Sequence, residues 1–111
     1  MPRYIPFIHN ILKAKKGDRF EEQFDFEAGF LTGKSAKAQI RTEYGGSSVL
    51  EFISTGSTIV ISGNSLTLIC PANLFNLEPG LYFYDIQLFT SIADVHTVVE
   101  GTFEVTNQIT V

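Results

Sequence analysis

A chain of 111 residues with 44% hydrophobic content has the size of one compact domain and leaves no room for a second. Its lone Cys70 excludes an internal disulfide and supplies neither a Cys-x-x-Cys motif nor a zinc set. The net charge is −4, yet all eight Lys and Arg precede residue 42, so an acidic second half argues against nucleic acid as the main partner.

Ten Phe, four Tyr, no Trp and many Ile, Val and Thr favour strands over helices, because branched and aromatic side chains pack well on a pleated surface. The expected fold class is therefore all-β. Met1 to Lys15 reads as an amino-terminal arm or a first strand. Its apolar stretch Tyr4–Leu12 is broken by Pro6, His9 and Asn10, too short and interrupted for a membrane span. The expectation is cytoplasmic synthesis without a signal peptide. Lys16-Gly17-Asp18 is a turn, and Arg19 to Phe26 then alternates, with Phe20, Phe24 and Phe26 on one face. Glu22 breaks that pattern, since it falls on the Phe face. Phe30 and Leu31, between Ala28-Gly29 and Thr32-Gly33, are placed to plug one end of the fold.

Ser35 to Thr42 puts Ala36, Ala38 and Ile40 inward and Lys37, Gln39 and Arg41 outward. A glycine-rich turn at Gly45-Gly46 precedes a short strand, Val49 to Ile53. Gly56-Ser57 turns the chain into Thr58 to Ser62, and Gly63-Asn64 joins it as a hairpin to Ser65 through Cys70. Ala72, Leu74, Phe75 and Leu77 have helical spacing, which predicts a short helical crossover near residues 71–77. Pro79-Gly80 opens a strand in which Tyr82, Tyr84, Ile86 and Leu88 share one face. Val95 to Thr106 is the last strand, with Gly101 expected as a bulge. Short strands in this number, about seven or eight, suggest a β-sandwich.

Chemistry is sparse in these residues. His9 and His96 lack metal-ligand spacing, the serines of the glycine turns lack Gly-x-Ser-x-Gly, and no phosphate loop or dinucleotide fingerprint occurs. The expectation is a protein without catalytic residues, metal or cofactor. Asp85, inside a hydrophobic strand, has no acid-base partner in sequence and is expected to pair with a first-half Lys or Arg. Tyr4, Phe7 and Ile8 form an apolar arm that either docks on a neighbouring subunit or folds back as a first strand. With Lys13, Lys15 and Lys16 they are the candidate partner contacts. Either the basic first half and acidic second half interleave in the sandwich so that the field averages out, or they offer complementary surfaces on successive copies, a head-to-tail arrangement suited to rings.

Immunoglobulin-like sandwiches often place a Tyr at the start of strand F, its hydroxyl returning to backbone a few residues upstream. Leu77-Glu78-Pro79-Gly80-Leu81-Tyr82 has that form, making Tyr82 the candidate corner residue, with Gly80 as its turn. Four ordered blocks extend the likeness: Lys16-Gly17-Asp18, Leu31 to Arg41, Pro79 to Leu88, and Gly101 to Val105 with Ile109-Thr110. Together they resemble the small immunoglobulin-like virion domains of tailed phages, similar to the amino-terminal domain of phage baseplate upper protein. The resemblance covers residues 16 to 110. It implies an immunoglobulin-like sandwich over residues 16–111 and a non-enzymatic virion structural or assembly protein in a tail, baseplate or fibre connector. The implied partners are other virion proteins and further copies of the chain, with neither nucleic acid nor membrane. Alternatives are a capsid decoration protein, or a module binding carbohydrate or a host surface through loops such as that at Tyr44.

Overall fold

The computed structural model describes residues 7–42, 48–54, 58–75, 77–91 and 94–107. The predicted turns at Gly45-Gly46 and Gly56-Ser57, and the Ile109-Thr110 block, lie outside these residues. Among the described residues nine strands follow in order: β1 (Phe7–Ile8), β2 (Ile11–Lys15), β3 (Phe20–Asp25), β4 (Ser35–Arg41), β5 (Ser48–Ile53), β6 (Ile59–Ser62), β7 (Ser65–Cys70), β8 (Gly80–Ser91) and β9 (Asp94–Thr106). The chain is all-β. One sheet of six strands runs β1-β9-β8-β4-β5, with β2 also on β9, and a sheet of three runs β3-β7-β6. The two form a sandwich-like arrangement.

Alternation builds the core. Along β4, Ala36, Ala38 and Ile40 are buried while Lys37, Gln39 and Arg41 are half-buried on the opposite face. Tyr84, Ile86 and Leu88 of β8, and Leu66, Leu68 and Cys70 of β7, do the same in their own sheets. Where the sheets meet, Phe20 of β3 lies 5.1 Å from Phe103 of β9 and 6.1 Å from Phe52 of β5, ring centre to ring centre. Phe75 stacks on Phe20 at 5.4 Å and closes that end. At the other end Leu31 is buried and Phe30 is packed against Phe26.

Three expectations are corrected. The helical crossover is a turn: the Leu74 and Phe75 N–H groups donate to the Pro71 carbonyl, and the described residues contain no helix. The helical spacing there comes from Phe75 turning inward while Leu74 stays exposed. A second correction concerns the bulge in the last strand. Gly101 sits in regular register opposite Tyr84, and the irregularities fall between the Ile86–Val99 and Gln87–Thr97 pairs, which leaves Val98 as an extra residue, and between the Phe89–Val95 and Ser91–Asp94 pairs. Glycine is needed at 101 for a different reason, since a Cβ would lie 2.9 Å from the His9 carbonyl carbon and closer still to its oxygen. The strand count also exceeds the expected range, because the arm is broken at His9-Asn10 and adds both β1 and β2.

Candidate interaction surface

The arm holds most of the predicted contacts. Its described part runs parallel to β9, pairing Phe7 with Val99, Ile8 with Glu100, and Ile11 with Phe103. Parallel pairing this short needs anchorage, and several polar groups supply it. The Tyr84 hydroxyl donates to the His9 carbonyl at 2.6 Å, the Thr102 N–H donates to Asn10 Oδ1, and the His9 N–H donates to the Glu100 carbonyl. His9 Nε2 and Glu22 Oε2 are 2.8 Å apart, and the imidazole meets the Phe24 ring edge-on at 5.1 Å.

This explains Glu22. Among apolar neighbours on β3 it faces the arm, where the His9 ring gives it a hydrogen-bond partner. Burial, then the nearby Glu22 charge, pushes the Tyr84 hydroxyl above its ordinary ionisation range, so it remains a donor to the arm. Sequence reading missed His9, Asn10 and Glu22 as a unit. The available signal was the single acid on the Phe face.

Of the predicted contact residues, Tyr4 lies outside the described residues, and Phe7 and Lys13 are placed by backbone only. Ile8 is 72% exposed. Lys15 pairs with Thr106, and Lys16 forms an ion pair with Glu78 at 2.8 Å. That pair ties the arm's end to the segment before β8, where the Tyr82 hydroxyl donates to the Glu78 carbonyl at 2.6 Å. Gly80 opens β8 at φ +157°, a conformation that side-chain-bearing residues rarely adopt.

Asp85 lies on the outer face of the six-stranded sheet, opposite Gln39 of β4 and Glu100 of β9. Lys37 and Arg41 are its diagonal neighbours on β4. Burial raises its carboxyl above the ordinary range; Arg41 and Lys37 oppose that rise and Glu100 adds to it. The surface around it is continuous. Register places Arg41, Phe83 and Thr102 in one row, Gln87 between Lys37 and Thr97 in another, and Leu81 opposite Glu104. Leu12, one residue beyond the Ile11–Phe103 pair, stands level with Glu104. Ile8, Leu12 and Leu81 are all well exposed along this face.

Its charge is ordered by strand. β4 presents Lys37 and Arg41 outward and no acid, whereas β9 presents Glu100 and Glu104 and no base, with β8 between them. Elsewhere, an open cleft of about 500 Å³ is lined by Asp25, Phe26, Glu27 and Phe30. The two rings stack there at 5.3 Å, and the Lys34 ammonium lies 4.8 Å from the Phe30 ring centre. Among the described residues no His, Cys, Asp and Glu side chains gather as a metal set.

What the geometry defines is the class, a small all-β sandwich with one broad, charge-patterned sheet face. No protein-family model and no curated protein matches the chain.

Proposed function

We propose that this chain is an immunoglobulin-like structural and assembly module of a tailed-phage virion, acting through protein–protein contacts in a tail, baseplate or fibre connector. The immunoglobulin-like part of the reading is supported by strand order. A sheet β2-β9-β8-β4-β5 facing a sheet β3-β7-β6 corresponds to strands A, G, F, C and C′ over B, E and D of a variable-type domain. The observation that carries it is the Tyr82 hydroxyl bonded to the Glu78 carbonyl at the entry to β8, the place of the tyrosine corner. Tyr84 then occupies the position of the second inter-sheet cysteine and anchors the arm instead. The virion part rests on the resemblance of the four ordered blocks, and the broad outer sheet face suits a protein that works by contact.

Mass spectrometry of purified particles tests the assignment. The polypeptide is expected in stoichiometric amounts, and particles lacking it would remove the reading. Imaging then separates the variants: density on the tail or baseplate keeps the main assignment, and density at capsid lattice positions selects decoration. A second reading, carbohydrate or host-surface binding, is favoured by the Phe26–Phe30 cleft, because stacked rings between acids suit a sugar face. Binding on a glycan array that disappears in Phe30→Ala would support it, and an empty array would end it. Tyr44, the loop aromatic expected to serve that role, lies outside the described residues.

A further inference from the structure

From the outer face of the six-stranded sheet we infer that two copies of this chain pair face to face, about a two-fold axis running along β8. The inference deepens the assembly reading above by naming the first partner. Charge order selects the geometry. An axis along β8 lays β4 of one copy over β9 of the other, so Lys37 and Arg41 meet the acidic row of Glu100 and Glu104, twice by symmetry. An axis across the strands would instead lay β4 on β4 and β9 on β9, setting like charges together.

Apolar groups follow the same geometry. Leu81 and Phe83 of β8 lie near the axis and meet their own copies. At the margins, β5 of one copy covers the arm of the other, with Glu51 level with Ile8 and Ile53 one row beyond. Strands about 4.8 Å apart and about 20–40 Å long give this face about 500–900 Å², comparable with the roughly 800 Å² per partner of a stable interface. Asp85 lies beside its own copy at the axis, and this is the costly element, offset by Lys37 and Arg41 diagonal to each carboxyl. The complementarity lies within one face, so it closes as a pair instead of propagating head to tail around a ring.

Sedimentation of the intact chain over a dilution series tests the pair, with two charge-reversed variants, Lys37→Glu/Arg41→Glu and Glu100→Lys/Glu104→Lys. The native chain is expected to dimerise, and each variant alone to have a dissociation constant raised by about a hundredfold or more. Mixing the two variants is expected to restore a mixed dimer, since each then offers the sign the other needs. Asp85→Asn is expected to tighten the native pair. A native chain monomeric up to its solubility limit, variants that dimerise as well as the native chain, or variants that fail to re-pair when mixed would each overturn the inference.

Should a reversed variant misfold, amide chemical shifts of the native chain on dilution give the answer. Changes confined to β4, β5, β8, β9 and the arm support the pair, and changes confined to β6 or β7 overturn it. The two readings fail separately. Absence from particles removes the virion assignment and leaves the pair standing, whereas a monomer removes the pair and leaves the assignment.

Discussion

Two residues show how a single side chain, or its absence, fixes local structure. Gly101 has no Cβ because the His9 backbone occupies the space, so Gly101→Ala must push the arm off β9 or shift the strand. The expected cost is about 1–3 kcal/mol in urea denaturation, overpacking of a tight site being the cause. Stability within a few tenths of native would mean that the arm does not dock as described. Asp85 makes a prediction with a definite sign. Its folded carboxyl titrates above the ordinary 3.8, so between the unfolded and folded values the native state holds more protons. Its contribution is therefore most favourable below 3.8 and declines as pH rises through the folded value. Asp25 and Asp94, lowered chiefly by hydrogen bonds from Gln23 and Thr90, act in the opposite direction, so the difference between native and Asp85→Asn isolates the effect. The variant is expected to gain relative stability as pH rises from acid toward neutral. Equal pH profiles would count against the burial of Asp85.

At the scale of elements, the arm combines two kinds of residue in adjacent positions. Ile11 is buried against the core and Leu12 is exposed on the outer face. Ile11→Ala is therefore expected to cost about 2–4 kcal/mol, and Leu12→Ser to stay within about 0.5 kcal/mol, both read from chemical denaturation of samples kept dilute enough to be monomeric. Reversed magnitudes would mean that the arm is docked in the other register. Much of the strand plan is legible without coordinates. Ala36, Ala38 and Ile40, or Leu66, Leu68 and Cys70, announce their strands because period two is a local property of a pleated chain. Where reading failed, the cause was non-local. Gly101 looked like a bulge because its partner in contact, His9, belongs to a segment more than ninety residues earlier. Glu22 looked misplaced for the same reason. The Ala72–Leu77 spacing suggested a helix, but Pro71 and the inward Phe75 close a single turn.

For the whole molecule, the uneven distribution of charge along the sequence is reorganised by folding. β3 and β4, both from the basic half, enter different sheets, and β4 comes to lie beside β8, with the acidic β9 on the far side of β8. Opposite signs that are far apart in the chain thus become stripes one strand apart on one face, a pattern composition could suggest but not orient. The site was legible only in part: Ile8 and Asp85 could be chosen from sequence, whereas Leu81, Glu100 and Glu104 gain meaning only through register. Cys70 gives the molecule a built-in gauge of its own motion. Its thiol is buried at the end of β7, opposite Phe20 of β3, and burial holds it above the ordinary thiol range. A thiol reagent must wait for the three-stranded sheet to open, so the labelling rate at low reagent measures how often β3 and β7 part. Slow labelling that accelerates with urea is expected, and labelling as fast as a free thiol would show that this sheet stands open. With no engineered cysteine, the chain can then report whether binding a partner stills the sheet opposite the contact face.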